Sequence, residues 1–167
     1  MATNIKIKPY EINNLPEVLE IINLYILTTT AIYDYDARTL EQQKSIFDEK
    51  LNNNYPIIIA IVNNKLAGFA YFDTFRKKDG YKFTAEHSVY VHPNFTGIGI
   101  GKKLLEQLII LAKEKNIRTL IGVIDAENTN SIDFHLKMGF EIKGTLNETG
   151  YKFNRWLDSV FVQKIIN

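Results

Sequence analysis

The 167-residue chain contains no cysteine. A thiol nucleophile, a disulfide and a thiolate-ligated metal are therefore excluded, and the sequence predicts no metal cofactor. Proline is scarce, with four residues, and no stretch rich in Pro, Gly or Ser marks a linker. We expect one domain over residues 1–167, a length that can bury a sizeable core.

Neither sign of charge dominates, because 20 basic residues face 19 acidic ones and leave a formal net charge of +1. Such a balance gives no electrostatic footprint for nucleic acid or for an anionic membrane, so neither is expected as a partner. No apolar run has the length of a membrane span, and residues 1–9 lack the apolar core of a signal peptide. We expect a cytoplasmic protein.

Hydrophobic periodicity predicts the element order β, α, α, β, β, β, α, β, α, β, β. The predicted strands are 5–8, 56–62, 66–75, 82–92, 119–124, 140–144 and 155–165, and the predicted helices are 15–27, 39–51, 100–115 and 128–138. Thr39 and Gln42 fit a capping box at the second helix, and Gly139 fits a left-handed cap after the last. Phe153 and Trp156 are expected in the core. The order predicts a mixed α/β sheet and disfavours a doubly wound parallel one.

The stretch 89–101 reads V-Y-V-H-P-N-F-T-G-I-G-I-G, an apolar strand that enters a glycine loop before a helical pattern. The first N–H groups of a helix lack partners and carry partial positive charge, so this junction suits a pyrophosphate. Gly97, Gly99 and Gly101 allow close approach and unusual backbone angles, while Lys102 adds formal charge. The spacing fits neither a dinucleotide fingerprint nor a P-loop.

This junction resembles the acetyl-CoA motif of the GNAT superfamily of N-acetyltransferases, [Q/R]-x-x-G-x-[G/A]. Here the motif stands as Thr96-Gly97-Ile98-Gly99-Ile100-Gly101, with Thr96 in place of the usual Gln or Arg. The element order also matches the family, so the resemblance covers nearly the whole chain. It implies a twisted mixed sheet of six to seven strands flanked by about four helices, with splayed central strands that hold acetyl-CoA.

Within the family, the chain resembles the phosphinothricin and methionine sulfoximine N-acetyltransferases. The supporting motifs are T-T-A at 29–31, E-H-S-V-Y-V at 86–91, a helical His135 where many members have Tyr, and G-Y-K-F-N-R-W-L-D at 150–158. This resemblance implies direct acetyl transfer from acetyl-CoA to the α-amino group of phosphinothricin, methionine sulfoximine, methionine sulfone or a similar small amino acid analogue. It also implies a homodimer, with the acceptor site near the interface.

The candidate base is Glu86, on a strand expected to be central. Strand alternation sends Glu86 and Ser88 to one face and His87 and Val89 to the other. A carboxylate there is costly unless it is paired or functional, and a salt bridge is the alternative reading. The resemblance implies that Glu86 takes a proton from the acceptor ammonium and that His135 protonates the departing thiolate. A lone histidine on a helix also fits a structural role.

The resemblance assigns acetyl-CoA binding to one strand, the glycine loop and the start of a later helix. The residues are Val89, Tyr90, Val91, Gly97, Ile98, Gly99, Ile100, Gly101, Lys102, Asn128 and Ser131. Asn128 is also suited by its chemistry to cap that helix. The acceptor carboxylate needs a fixed cation, and Arg76 offers a bidentate guanidinium, with Lys152 as the second candidate. The complete set of acceptor-binding candidates is Tyr33, Phe75, Arg76, Lys77 and Lys152.

Other functions stay open. A GNAT enzyme could act on a protein N-terminus, a polyamine, an aminoglycoside or another amine, and the fold could also serve as a non-catalytic acetyl-CoA sensor. A polyamine or aminoglycoside needs an acidic acceptor groove, and the basic segment 76–78 argues against one. A sensor needs neither Glu86 nor His135.

Overall fold

The computed structural model describes residues 4–166. The segment 1–9, in which the sequence shows no apolar core of a signal peptide, therefore lies partly outside the described residues. The strands are β1 (Ile5–Pro9), β2 (Ile57–Val62), β3 (Lys65–Thr74), β4 (Thr84–Val91), β5 (Thr119–Asp125), β6 (Glu141–Lys152) and β7 (Arg155–Ile165). The α-helices are α1 (Leu15–Thr28), α2 (Leu40–Asn52), α3 (Ile100–Glu114) and α4 (Thr129–Lys137). The predicted order of helices and strands is confirmed.

The strands form one seven-stranded sheet in the order β1-β2-β3-β4-β5-β7-β6. Every neighbouring pair is antiparallel except β4 and β5, which are parallel. The expected mixed α/β fold is therefore confirmed. The main difference lies in β6, which was predicted to end at residue 144 and continues to Lys152. Its second half is polar and lacks an apolar alternation, and pairing with β7 sustains it.

Two buried cores lie on opposite faces of the sheet. On one face, α3 packs against the strands, with Leu104 and Phe72 fully buried. On the other face, α1 and α2 cover the sheet, and Phe47 of α2 is buried there. Successive residues of β4 point to different cores, so Val89 packs against the first and Tyr90 against the second.

The parallel ladder between β4 and β5 is short. It runs only from the pair Thr84–Thr119 to the pair Glu86–Ile121. Beyond this point β4 continues to pair with β3, and β5 continues to pair with β7. The two central strands therefore part, and this opens a cleft at the middle of the sheet.

Local signals set the predicted helix ends. The Thr39 hydroxyl accepts a hydrogen bond from the Gln42 N–H at 3.2 Å, and the Gln42 side chain accepts one from the Thr39 N–H at 2.8 Å. Gly139 follows α4 with a φ of +80°. The expected capping box and left-handed glycine are confirmed. Within residues 4–166, no helix combines the length and apolar character needed to cross a membrane.

Trp156 and Phe153 lie on the surface, with 60% and 53% of their areas exposed, so their expected place in the core is wrong. Phe153 and Asn154 form the two-residue turn between β6 and β7, with φ values of +52° and +58°. The β6–β7 hairpin is at the edge of the sheet, and both rings are exposed there. The Trp156 ring packs instead against Tyr151, with centroids 4.9 Å apart.

Lys152 joins β6 to the end of α1. Its side chain is buried, with 2% exposure, and Nζ donates to the carbonyl oxygens of Ile26 at 2.6 Å, Thr29 at 2.9 Å and Ile32 at 2.6 Å. An ammonium has three hydrogens, so these bonds use all of them. The loop that follows α1 is held against the sheet by this contact.

We predict that Lys152→Met lowers the free energy of unfolding by about 2–4 kcal/mol, because two buried carbonyl groups and a partly buried one lose a charged donor. Urea unfolding measures the change. Lys143→Met on the same strand is the matched control, since its surface pair with Glu141 contributes less than about 1 kcal/mol. Equal losses in the two variants would contradict the structural role of Lys152.

Candidate active site

A cavity of about 240 Å³ lies where β4 and β5 part. Its wall consists of Thr30, Ala31, Tyr33, Glu86, His87, Ser88, Val89, Tyr90, Gly122, Val123, Ile124, Asp125, Asn128, Ser131 and His135. Because β4 alternates, Glu86 and Tyr90 face the side of α1 and α2, whereas His87 and Val89 face the side of α3 and α4. One cavity therefore joins polar groups from both faces of the sheet.

Glu86 lies directly opposite Asp73 in the antiparallel register of β3 and β4. Lys50 of α2 forms its ion pair with Asp73, and its Nζ lies 4.6 Å from the centre of the Tyr71 ring. Burial raises the pKa of Glu86, and the Asp73 carboxylate raises it further, while Lys50 lowers it. A half-buried carboxyl with a raised pKa suits the role of a general base.

His87 and His135 form a buried pair between β4 and α4. Their Nε2 atoms are 2.9 Å apart. The Nδ1 of His87 lies 2.9 Å from the Ile121 carbonyl oxygen, and the Nδ1 of His135 lies 2.7 Å from that of Ser131. Every ring nitrogen of the pair thus has a partner. No group of three or more His, Asp or Glu side chains within residues 4–166 is placed to hold a metal ion.

The start of α4 and the end of β5 are fixed by side-chain caps. Asn128 accepts a hydrogen bond from the Ser131 N–H at 3.1 Å, which confirms its predicted capping role. The Asp125 carboxylate accepts hydrogen bonds from the Thr30 hydroxyl and from the Glu127 N–H. The Thr30 bond ties the loop after α1 to the far side of the cavity.

The glycine loop follows β4 and leads into α3. Gly97 and Gly99 have φ values of +79° and +90°, which other residues rarely adopt. Gly101 is helical, and a Cβ there would lie 3.6 Å from the Phe134 ring, which is a normal van der Waals contact. The helix begins at Ile100, so the first-turn N–H groups of α3 are available at the loop. These features suit the pyrophosphate predicted from the sequence.

The acceptor-binding candidates lie apart from one another. Tyr33 lines the cavity, with its hydroxyl 3.3 Å from the Ser159 hydroxyl. Arg76 lies beyond the end of β3, and its guanidinium carbon is 5.4 Å from the Phe75 ring centre and 5.9 Å from that of Tyr81. The guanidinium is thus stacked on the aromatic rings of its own exposed loop, outside the cavity wall.

Seven predicted residues line the cavity: Tyr33, Glu86, Val89, Tyr90, Asn128, Ser131 and His135. The others lie outside its wall: Phe75, Arg76, Lys77, Val91, Gly97, Ile98, Gly99, Ile100, Gly101, Lys102 and Lys152. Among these, Lys152 donates all its hydrogens to the carbonyl groups of Ile26, Thr29 and Ile32.

Among the wall residues to which sequence reasoning gave no role are His87, Ser88 and Asp125. His87 and Ser88 lie inside the E-H-S-V motif, where only Glu86 and Val89 were assigned roles. Asp125 was missed because its partner Thr30 is 95 residues away. The E-H-S-V motif could have identified His87 as a candidate site residue. No motif in the neighbouring sequence indicated a role for Asp125.

Comparison with known proteins gives consistent results. The family model described as acetyltransferase (GNAT) family matches residues 18–140. An L-methionine sulfoximine/L-methionine sulfone acetyltransferase from Pseudomonas paraeruginosa is 36% identical over 90% of this chain and 88% of its own. A phosphinothricin N-acetyltransferase from Alcaligenes faecalis is 33% identical over 93% and 79%. The crystal structure of a phosphinothricin acetyltransferase from Sinorhizobium meliloti with acetyl-CoA superposes with a TM-score of 0.94, at 30% identity over 100% and 90%.

We predict that Lys50→Met raises the pKa of Glu86 further, because the lost ammonium no longer stabilises the Glu86 and Asp73 carboxylates. Carboxyl-carbon NMR over a pH series measures the shift. Lys44→Met on the same helix is the control, since Lys44 forms an exposed pair with Asp48. An unchanged titration of Glu86 in the Lys50 variant would show that Lys50 does not act on it.

Proposed function

Because this chain belongs to the GNAT acetyltransferase family, we propose that it acetylates the α-amino group of a small amino acid analogue. It is an N-acetyltransferase, and acetyl-CoA is its cosubstrate. The proposed acceptors are of the methionine sulfoximine, methionine sulfone or phosphinothricin type, which are the compounds named for its relatives. The observation that carries the proposal is the cleft between β4 and β5, with Glu86 on one face and the start of α4 on the other.

The residues present fit acetyl-CoA. The positive φ angles of Gly97 and Gly99 shape a loop whose amides, with the first turn of α3, suit the pyrophosphate. The segment from Val89 to Val91 follows the end of the ladder to β5, so its backbone is placed to bind the pantetheine amides in strand fashion. Acetyl-CoA supplies the activated acetyl thioester.

Glu86 serves as the general base in this proposal. An ammonium cannot attack a thioester, so Glu86 takes one of its protons, directly or through a water. The raised pKa makes Glu86 a stronger base than an exposed carboxylate. Backbone N–H groups of β4 in the cleft are the proposed donors to the oxyanion that forms on attack. His135, in the cavity wall, is the proposed proton source for the thiolate.

A second candidate acceptor is a polyamine or another cationic amine. The cavity wall contains two carboxylates, Glu86 and Asp125, and none of its residues is Lys or Arg. This composition favours a cation, whereas an amino acid also needs a partner for its carboxylate. Arg76 is the proposed partner, because it lies three residues beyond Asp73, the residue opposite Glu86 in the register of β3 and β4. In this role its guanidinium leaves the Phe75 and Tyr81 rings and turns to the cavity.

A panel of acceptors tests the proposal. Thiol release from acetyl-CoA is measured with phosphinothricin, methionine sulfoximine, methionine sulfone, the common amino acids, spermidine, an aminoglycoside and a short peptide. The proposal expects the highest kcat/KM for the methionine or glutamate analogues. Activity confined to peptide or polyamine would overturn the acceptor assignment, and binding of acetyl-CoA with no transfer to any acceptor would favour a sensor.

We also propose that the chain acts in the cytoplasm, where acetyl-CoA is available, and that it forms a homodimer. Exposed apolar side chains on the β6–β7 hairpin support the second proposal. They are Ile142, Leu146, Tyr151, Phe153, Trp156 and Ile165. Light scattering should give twice the 19.3 kDa mass of one chain, and a single-chain mass at micromolar concentration would refute the dimer.

We predict that Glu86→Gln lowers kcat by about 10²–10⁴-fold, because the amide cannot accept the acceptor's proton. The dissociation constant for acetyl-CoA should change by less than about threefold, since the glycine loop is intact. Glu114→Gln on the exposed face of α3 is the control for a neutral change elsewhere. Full activity of Glu86→Gln at every pH would remove Glu86 as the base.

We predict that Arg76→Ala raises the KM for the amino acid acceptor by about tenfold or more and leaves the KM for acetyl-CoA near its original value. Steady-state kinetics with each substrate varied in turn measures both constants. Lys78→Ala tests whether loss of any nearby positive charge has the same effect. If the acceptor KM is unchanged in the Arg76 variant, the carboxylate is bound elsewhere.

A further inference from the structure

A continuous chain of three short contacts runs through the wall of the cavity. It begins at the Ile121 carbonyl oxygen, passes through the rings of His87 and His135, and ends at the Ser131 carbonyl oxygen. The three heavy-atom distances are 2.9 Å, 2.9 Å and 2.7 Å. All lie within the range of normal hydrogen bonds.

Three hydrogen bonds along this chain need three hydrogens, and this number sets the charge that such a chain carries. A carbonyl oxygen only accepts, so each Nδ1 must carry a hydrogen, and the contact between the two Nε2 atoms needs one more. Two neutral imidazoles have two N–H groups, which leaves one contact without a hydrogen. Two imidazolium rings have four, and would place N–H against N–H. One imidazole and one imidazolium have the three that are needed.

The surroundings hold the two rings in this arrangement. The Phe140 ring centre lies 5.0 Å from that of His87 and 5.3 Å from that of His135, and Phe134 lies 5.1 Å from His135. A Cβ at Gly122 would come within 3.0 Å of the His87 ring, so glycine leaves the room that the ring needs. The ring positions are therefore set by packing.

The electrostatic surroundings oppose the proton that the geometry requires. Burial, and then the neighbouring His135, lower the pKa of His87 to about 3, against the raising effect of its hydrogen bond to Ile121. Burial lowers the pKa of His135 as well, and its hydrogen bond to Ser131 raises it. The Lys164 ammonium lies 5.9 Å from the centre of the Phe140 ring. Glu86 precedes His87 in the chain, yet its side chain points to the opposite face of the sheet. Hydrogen bonds place a shared proton between the two rings, while burial makes the charged pair a stronger acid than a free imidazolium.

We propose that His87 is a positioning residue that shares one proton with His135, and that this proton passes from His135 to the thiolate of CoA. The inference rests on the proposed function. In the step, the Nδ1–H of His135 turns from the Ser131 carbonyl oxygen to the sulfur. Its N–H bond breaks as an S–H bond forms, so the pair goes from +1 to neutral and the thiolate becomes a thiol. The neutral pair lacks one contact until solvent returns a proton.

His87 has a second consequence for the cleft. Ile121 belongs to the last pair of the β4–β5 ladder, and the His87 ring supplies the donor for its carbonyl where the strands part. Through His135, the same ring is joined to α4, whose first turn is capped by Asn128. His87 therefore links the point where β4 and β5 part to His135, the candidate proton donor.

Histidine NMR on the full chain tests the shared proton. The sequence has three histidines, and His92→Asn assigns the third by removing it. In ¹⁵N spectra recorded from about pH 5 to 9, we expect the rings of His87 and His135 to titrate together, with one midpoint and one proton between them. Separate midpoints, two protons, or two rings that stay neutral throughout would overturn the proposal.

Two substitutions at His87 separate its role as acceptor of the His135 hydrogen bond from simple packing. In His87→Gln, the amide oxygen can accept from His135 Nε2–H, whereas the shorter His87→Asn side chain can bond Ile121 but not His135. We expect His87→Asn to lower the midpoint of His135 by about one pH unit or more and kcat by about tenfold.

We expect His87→Gln to retain kcat within about threefold, and both variants to bind acetyl-CoA as the original chain does. Equal kcat values for the two variants would leave His87 with packing alone and overturn its positioning role. If the original chain transfers no acetyl group to any acceptor of the panel, the proposed function fails, whereas the NMR titration still decides whether the proton is shared.

Discussion

The early end of the parallel ladder between β4 and β5 is the constraint on which the site depends. Backbone groups in the middle of a sheet cannot stay buried without partners, so the groups left from Glu86 and Ile121 onward must be met by side chains or by a bound molecule. The His87 ring meets one of them, the Ile121 carbonyl. The gap becomes the cavity, and strand alternation gives it one wall on each face of the sheet.

Burial at this gap acts in opposite directions on the two kinds of titratable group. It raises the pKa of Glu86 and lowers the pKa values of His87 and His135. The ordinary difference in pKa between a carboxyl group and an imidazole is therefore not kept at this site. The acid and the base of the proposed reaction then lie on opposite faces of one cleft. Lys50 moderates the effect on Glu86 through its ion pair with Asp73.

Elements with strong local signals were predictable from the sequence. The capping box at Thr39, the glycine after α4 and the order of strands and helices were all predicted, because each depends on residues close together in the chain. The prediction failed where an element depends on a partner strand. The polar second half of β6 is a strand because β7 pairs with it, and Trp156 is exposed because its hairpin lies at the sheet edge.

For the site, the sequence by itself determined which residues stand on the central strand, in the glycine loop and at the start of α4, since each follows from local periodicity or spacing. Only the tertiary structure decided which of them meet. The pair of His87 and His135 joins residues 48 positions apart, and Lys152 contacts carbonyl groups more than 100 positions away. Such contacts are set by how strands pair and helices pack, and a lysine or histidine carries the same local pattern whether it binds a substrate or a buried carbonyl.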